Sequence, residues 1–287
     1  MDVLSDVVAA MRTGSPFANR EDREGVWLTH FEPFAGAGFH VVLRGACLLV
    51  PEEGPTVRLG AGDVVLTPHG TRHTLTDDPG HAGAQGATAL LCGGYELDRS
   101  RPHPLLGTLP ETIHRPSGTG RHQDVSAAVS LLGAELRNPR PGTDAALPTL
   151  LDLLLLYVLR AWIEDESARG TTGWPTALAD PAIGSALHAI HDDPAKPWTV
   201  EALGKKANLS RATFSRRFAA AVGEPPLTYV TWWRLTVAAQ LLRSSDTALA
   251  PIAQHVGYHS PFAFATAFKR EHGISPGRYR QRHRDPS

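Results

Sequence analysis

The stretch GYHSPFAFATAFKREHGISPGRYR, residues Gly257–Arg280, repeats an earlier part of the same chain. Its copy lies 50 residues upstream, where SRATFSRRFAAAVGEPPLTY runs from Ser210 to Tyr229. An internal repeat predicts one local structure formed twice. The matched pairs are Ser210/Ser260, Phe214/Phe264, Phe218/Phe268, Gly223/Gly273, Pro226/Pro276 and Tyr229/Tyr279.

Each copy has the features of a short, capped helix. The serine hydroxyl at its start can satisfy a free backbone N–H of the first turn. Pro261 occupies the first helical position of the second copy, where a missing N–H costs nothing. The two phenylalanines of each copy lie four residues apart, so they share one buried face. Gly223 and Gly273 are predicted to end the helices.

A shorter helical segment precedes each copy. TVEALGKKA, residues 199–207, is joined to the first copy by NLS, and ALAPIAQHV, residues 248–256, is joined to the second by GYHS. A short helix, a tight turn and a serine-capped helix make a helix-turn-helix. We therefore predict two helix-turn-helix motifs in one register, joined by a long helix at about 227–243.

The charge distribution favours nucleic acid as the partner of these helices. From residue 196 to the end the chain has 14 Lys and Arg against 5 Asp and Glu, a net charge of +9. The remainder has 14 basic and 24 acidic residues, a net charge of −10, so the overall charge of −1 hides the asymmetry. A basic module behind an acidic body is typical of a DNA-binding domain attached to another domain.

At this point the chain resembles the AraC family. Residues from about 195 to 284 are similar to that family's DNA-binding domain, and the segment 257–280 is similar to its signature. The resemblance implies that the second helix of each motif enters the major groove, in two segments one helical turn apart.

The first recognition helix offers the stronger base-reading group. With Phe214 and Phe218 inward, Arg211, Ala212, Ser215 and Arg216 fall on the outer side. The resemblance places Ala212, Ser215 and Arg216 at base-facing positions. Arg216 is the candidate for a bidentate bond to guanine, with a phosphate contact as the alternative.

The second recognition helix is poor in hydrogen-bonding groups. Its outer side carries Pro261, Phe262, Ala265 and Thr266, and only Thr266 can hydrogen-bond a base. The expected phosphate partners, which contribute affinity rather than sequence choice, are Lys269, Arg270, Arg278, Arg280 and Arg282. His259, at the turn, is a candidate phosphate contact or a solvent-exposed residue. We expect Trp232 and Trp233 to be core residues.

The N-terminal part has a different pattern. Short apolar runs separated by Gly and Pro predict strands to about residue 97, and helical spacing follows at 124–137, 144–164 and 181–191. We predict an α+β fold of two domains. Residues 1–192 form a cupin-like β-barrel (about 1–100) with a helical connector (about 124–192), and residues 193–287 form the all-α double helix-turn-helix domain.

GDVVLTPHGTRH, residues 62–73, resembles the second cupin motif, whose histidine points into a small barrel. GFHVVLRG, residues 38–45, resembles the end of the first cupin motif but lacks its H-x-H. Strand alternation places His40 on the inward face. His40, His73 and Cys92 are therefore candidate effector residues, and a His/His/Cys set suits zinc or copper. The alternatives are a small ligand, hydrogen-bonded core histidines with a buried cysteine, or a redox pair of Cys47 and Cys92.

The whole chain resembles the branch of the AraC family that joins a cupin-like sensor to this DNA-binding domain. This implies a sequence-specific transcriptional regulator, activator or repressor, that is not an enzyme and binds double-stranded DNA under control of a small-molecule, metal or redox signal. The alternative is a cupin-type metal-dependent enzyme. RNA polymerase is a candidate partner, and the apolar stripe of 144–164 is a candidate homodimer contact. The N-terminus does not read as a signal peptide, and we expect a cytoplasmic protein without a membrane span.

Overall fold

The structure is a computed structural model that describes residues 2–78, 87–97, 103–117 and 120–283. These residues divide into two compact units. The strand unit contains the described residues of 12–97 and 109–164, and the helical unit contains those of 2–11, 103–108 and 165–283.

The strand unit is built from nine strands in two sheets. The first sheet has the order β1-β8-β3-β6-β9, and the second has the order β2-β7-β4-β5, with antiparallel pairing in both. The strands are β1 (Phe17–Arg23), β2 (Leu28–Phe31), β3 (Gly36–Arg44), β4 (Ala46–Pro51), β5 (Val57–Gly60), β6 (Val64–Thr67), β7 (His73–Asp77), β8 (Thr88–Glu96) and β9 (Ile113–Arg115).

The core of this unit is filled by alternate residues of strands from both sheets. Strands β3 and β8 contribute Val42 and Leu90, and strands β4 and β7 contribute Leu49 and Leu75, all of them buried. Such alternation is expected where each sheet turns one face to the same core. The predicted β-rich N-terminal fold is confirmed, although the two sheets do not close into the barrel that we expected.

Two helices complete the strand unit, α3 (Gln123–Arg137) and, up to residue 164, α4 (Thr143–Ala168). Helix α3 packs against β3, which explains why that strand is buried on both faces over most of its length. Among the described helices, α4 alone is long and apolar enough to cross a membrane by length and composition. It buries residues such as Leu154 and Val158, and core helices of soluble proteins pass the same test.

The helical unit contains the repeat found in the sequence. Its helices are α1 (Val3–Met11), α2 (Pro104–Thr108), α5 (Trp174–Ala179), α6 (Pro181–Asp192), α7 (Val200–Lys206), α8 (Arg211–Val222), α9 (Pro226–Ser244), α10 (Leu249–His255), α11 (Pro261–His272) and α12 (Pro276–Arg282). Helices α7 and α8 form the first helix-turn-helix, α10 and α11 form the second, and α9 joins them.

The local chemistry of both motifs is as predicted. Ser210 accepts a hydrogen bond from the Thr213 N–H at 3.3 Å, and Ser260 accepts one from the Ala263 N–H at 3.4 Å. Gly223 and Gly273 end α8 and α11 with φ of 87° and 75°. All four repeated phenylalanines are fully buried.

The compact units divide the chain differently from the predicted bounds at 192 and 193. Helix α1 packs against α6 and α9, and α5 packs against α6 and α8, so these segments group with the helix-turn-helix motifs. Apolar residues of α1 and α6 such as Val7 and Ile183 are fully buried. Packing of this kind joins residues that lie far apart in the chain, which is why spacing alone did not indicate it.

Candidate nucleic-acid interface and sensor site

Helix α8 presents one free arginine on its outer side. Phe214 and Phe218 face the core, and Arg211, Ala212 and Arg216 are exposed, while Ser215 is half-buried. Arg216 has no hydrogen-bond or ion-pair partner within the part of the chain that the structure describes. Its five N–H donors are therefore available to an acceptor outside the protein.

The other two arginines of α8 are held by neighbouring carboxylates. Arg211 Nε lies 2.9 Å from Glu201 Oε1, and Arg217 Nη2 lies 2.5 Å from Asp180 Oδ2. Asp180 also caps α6, because its Oδ1 accepts from the backbone N–H groups of Ala182 and Ile183. The bonds to Arg217 and to these N–H groups lower the pKa of Asp180 although desolvation raises it. Arg217 is thus a structural tie between α8 and α6.

Helix α11 presents an apolar tip. Phe262 is 81% exposed, more than any other phenylalanine of the protein. Pro261 and Thr266 are also exposed, and Ala265 is half-buried. Of these four groups, only the Thr266 hydroxyl can hydrogen-bond a base, so the structure keeps the contrast between the two helices that the sequence predicted.

Basic groups follow on the same helix and on the turn before it. Lys269, Arg270 and His259 are exposed, as phosphate contacts require. Trp232 and Trp233 of α9 are 5% and 3% exposed, so they are core residues as expected. The sequence did not indicate the pairing of Arg217 with Asp180. The two residues are 37 positions apart, so no local sequence pattern connects them.

His40 and His73 meet inside the strand unit. Their Nε2 atoms are 2.7 Å apart, both residues are buried, and Phe31 stacks on the His73 ring with a centroid distance of 5.0 Å. Burial lowers the pKa of both rings, and His73 helps to bring the pKa of His40 to about 3. Both rings are therefore neutral at pH 7.

The hydrogen bonds fix the tautomers of this neutral pair. His73 Nδ1 lies 2.8 Å from the carbonyl oxygen of Thr71, which can only accept, so His73 carries its proton on Nδ1. Its Nε2 then accepts from Nε2–H of His40. This leaves a bare lone pair on His40 Nδ1, which is buried and has no partner among the described residues. The nearby strand residue Thr67 also has a buried hydroxyl without a described partner.

Cys92 is the neighbour of His40 in the first sheet. The two residues face each other across the β3–β8 ladder, so their side chains lie on the same face. Cys92 and Cys47 are free thiols in the apolar core of the strand unit. Burial raises the pKa of Cys92, and it raises the pKa of Cys47 to about 12.

The donor set falls short of a metal site. Over the described ranges, no group of three or more His, Cys, Asp or Glu side chains is arranged to hold a metal ion. His40 and His73 supply two nitrogen ligands, fewer than the three or four protein ligands of zinc sites.

A cavity in the strand unit gave no signal in the sequence. It has a volume of about 310 Å³ and is lined mainly by apolar side chains, among them Phe17, Leu91, Leu132, Leu147 and Leu151. Leu91 follows Leu90 and precedes Cys92, so it lies on the opposite face of β8 from those core residues. Asp144 supplies the one carboxylate of the lining.

Comparison with known proteins agrees with this architecture. Residues 2–164 match the cupin family Cupin_6, and residues 203–282 match a helix-turn-helix domain family. An AraC-like transcription regulator of Streptomyces antibioticus is 35% identical, with 98% of this chain and 99% of that protein covered. The HTH-type transcriptional regulator AlkR of Acinetobacter baylyi is 31% identical at the same coverages.

Among solved structures, the DNA-binding domain of AdpA in complex with a target DNA is 34% identical, covers 38% of this chain and 98% of that chain, and has a TM-score of 0.35. The full-length relatives carry the assignment, because they span both the strand-rich and the helical parts. The chain belongs to the AraC family of transcriptional regulators, with an N-terminal cupin domain and a C-terminal helix-turn-helix domain that binds double-stranded DNA.

Proposed function

We propose that this regulator reads its operator mainly through Arg216 of α8 and is controlled by a small molecule bound in the strand unit. The observation that carries the first part is the contrast between three arginines of one helix. Arg211 and Arg217 are each paired with a carboxylate, whereas Arg216 is exposed and unpaired in the described chain. A free guanidinium on the outer face of a recognition helix suits bidentate bonding to guanine O6 and N7.

Helix α11 supports this division of labour. An exposed Phe262 beside Pro261 suits contact with thymine methyl groups or the sugar–phosphate wall, and neither gives strong discrimination. Lys269 and Arg270 add phosphate contacts that raise affinity for any sequence. The second motif therefore contributes affinity that does not depend on the DNA sequence, and the first contributes most of the direct base readout.

The test is selection of bound DNA from a random library with Arg216→Ala and with Arg278→Ala as the control. Arg216→Ala should weaken binding to the selected site by about 1–3 kcal/mol and relax the preference at one guanine position. Arg278→Ala removes an exposed arginine of α12 and should weaken binding to all DNA sequences by the same factor. An unchanged preference at every position for Arg216→Ala would remove this residue from base readout.

For the signal, we favour a small molecule over a redox change. The reactive form of cysteine is the thiolate, and burial raises the pKa of both Cys47 and Cys92, so little thiolate is present at pH 7. The lone pair of His40 Nδ1 and the hydroxyl of Thr67 are polar groups without described partners, and a hydrogen-bonding ligand would satisfy them. His40, His73 and Cys92 thus remain the proposed effector residues.

The cavity beside Leu132 is the competing location for the effector. Screening a compound panel by thermal shift on the full chain would provide ligands, and two variants would then separate the locations. His73→Ala should abolish binding of a ligand that occupies the histidine pair. Leu132→Trp should instead abolish binding of a ligand that occupies the apolar cavity. DNA affinity without ligand should be unchanged in both variants. A ligand unaffected by either variant would contradict both locations.

The remaining elements of the proposal follow from the family and from α4. We propose a cytoplasmic regulator without enzymatic activity that acts on RNA polymerase, and a homodimer formed through partly buried leucines of α4. Analytical ultracentrifugation of Leu153→Glu tests the dimer, because Leu153 is half-buried on this helix. Stoichiometric metal binding together with substrate turnover would refute the absence of enzymatic activity.

A further inference from the structure

A chain of hydrogen bonds runs through the buried centre of the helical unit. His103, Tyr229 and His191 are all at most 7% exposed and are joined in this order. The oxygen of Tyr229 lies 3.3 Å from His103 Nε2 and 2.8 Å from His191 Nε2. His191 Nδ1 in turn lies 3.2 Å from Asp6 Oδ2, on α1. These contacts connect α1, α6 and α9 with the segment before α2.

A backbone group sets the direction of every bond in the chain. The N–H of Leu105 donates to His103 Nδ1 at 2.9 Å, so His103 must carry its proton on Nε2 and donate to Tyr229. Tyr229 then donates its O–H to His191 Nε2, and His191 donates Nδ1–H to Asp6. Burial lowers the pKa of both histidines and raises that of Tyr229, which keeps all three neutral.

The chain ends with an acceptor that it does not satisfy. Asp6 is 8% exposed, and its Oδ1 has no hydrogen-bond partner within the described residues. The indole Nε1–H of Trp233, which is 3% exposed, is a donor without a described partner. Trp233 stacks on His191 with ring centroids 3.8 Å apart. Burying such groups without partners is costly, so a ligand that supplies one donor and one acceptor would be stabilised by both.

Both residues lie in the wall of one cavity. Its volume is about 490 Å³, and its lining comes from α1, the end of α6, α9 and α10. The ionisable groups of the lining are Asp6, Asp192, Asp193, His191 and His255. The lining thus includes three acidic residues and two histidines, of which His191 is neutral. The nearby guanidinium of Arg234 is turned to the backbone, with Nε 2.6 Å from the carbonyl oxygen of Pro194.

We propose that this cavity is a second ligand site, for a small organic amine in its protonated form that also carries a hydrogen-bond acceptor. The ammonium group would donate to Asp6 Oδ1, and the acceptor would receive the Nε1–H of Trp233. The apolar part of the ligand would lie against Trp233 and Val237, which also line the cavity. The acidic residues of the wall disfavour an anion, and the volume is far larger than a bare metal ion requires.

This site has a direct route to the DNA-binding helices. Asp6 belongs to α1, whereas Trp233 belongs to α9, the helix that joins the two helix-turn-helix motifs. A ligand that bonds both residues adds one more tie between α1 and α9. Its ammonium group would also extend, at Asp6, the series of hydrogen bonds that begins at His103 and passes through Tyr229. Amine binding is therefore expected to stabilise the helical unit in the arrangement described.

The test uses three compounds with one skeleton and the full-length protein. Tyramine is a cation with a phenolic oxygen, tyrosol is its neutral alcohol, and 4-hydroxyphenylacetate is the corresponding anion. Isothermal titration calorimetry should show saturable, stoichiometric binding of tyramine, with binding about tenfold or more weaker for tyrosol and none for the anion. Equal affinity for tyramine and tyrosol would overturn the assignment to a cation.

Two variants separate binding in the cavity from binding elsewhere. In Asp6→Asn the amide oxygen can still accept from His191, but an N–H donor replaces Oδ1, so tyramine should bind about tenfold or more weakly. Ala9→Phe fills the cavity from an exposed position of α1 and leaves the hydrogen-bond chain intact, so it should abolish binding. Glu53→Gln removes an exposed carboxylate of the strand unit and serves as the control.

No saturable tyramine binding to the parent chain, or an unchanged affinity in either Asp6→Asn or Ala9→Phe, would overturn the proposal. Thermal unfolding of each variant without ligand shows whether it is folded. These outcomes are independent of operator reading, because Arg216 does not line the cavity.

Discussion

His40 should make the strand unit lose stability as the pH falls from 7 to 5. Burial, reinforced by the neighbouring His73, lowers the pKa of His40 from 6.5 to about 3. Between these two values the unfolded chain binds a proton that the folded protein excludes. The free energy of unfolding therefore has its full value above about pH 6.5 and decreases as the pH falls toward 3.

The size of the effect follows from the two pKa values of His40. At pH 5 the unfolded imidazole is almost fully protonated, whereas the folded imidazole is almost fully neutral. Each pH unit below 6.5 costs about 1.36 kcal/mol, so acidification from pH 7 to 5 should remove about 2 kcal/mol of stability. This is a substantial part of the roughly 5–15 kcal/mol that stabilises a typical domain.

The assay compares the parent chain with His40→Gln, whose amide N–H can take the place of His40 Nε2–H toward His73. Hydrogen exchange of the β3 amides, corrected for the intrinsic rate at each pH, reports the free energy of opening in the strand unit. The parent should lose about 2 kcal/mol more than His40→Gln between pH 7 and 5. The other histidines are common to both chains and cancel. Parallel losses in the two proteins would refute a neutral, buried His40.

Three further predictions concern the helix-turn-helix motifs. Lys269→Ala should lower affinity for all DNA sequences alike and reduce the slope of log K against log salt by about 0.9, which titrations at several salt concentrations measure. Ser210→Ala should cost about 1 kcal/mol in thermal unfolding because α8 loses its cap, whereas Ser130→Ala, at an exposed position of α3, should cost less. Phe268→Ala should cost about 3–5 kcal/mol, because this ring is fully buried, and a loss below about 1 kcal/mol would contradict its core role.

Much of the fold was predictable because its signals are local. Serine caps, paired phenylalanines and terminal glycines act within one helix, so the sequence indicated both recognition helices and the long helix between them. Strand β1, in contrast, has the polar sequence FANREDR and lies at the edge of its sheet. Its residues are largely exposed, and the alternation that indicates a half-buried strand is absent. Helix α1 was missed, although its apolar residues lie at helical spacing.

In the candidate sites, too, the positions of single residues were predictable from local patterns, whereas their contacts with distant residues were not. Alternation along β3 was enough to place His40 in the core, and the motif around His73 placed the second histidine there. Their hydrogen bond, with a separation of 2.7 Å, required the two sheets to come together, because His40 lies on β3 of the first sheet and His73 on β7 of the second. The outward position of Arg216 on α8 was also predicted from helix geometry, but the reason that Arg217 is occupied lies in Asp180, which caps another helix.

The sequence by itself determined the two helix-turn-helix motifs, their caps and cores, the basic charge of that part and the strand-rich N-terminal part, because each depends on spacing within a few residues. Tertiary structure alone decided which distant groups meet. It joined Asp6 to His191 and His103 to Tyr229, tied Arg217 to Asp180, and placed α1 with the DNA-binding helices. The physical reason is that buried polar groups pair with whichever partners the packing brings close to them. The local spacing of residues in the sequence does not predict that packing.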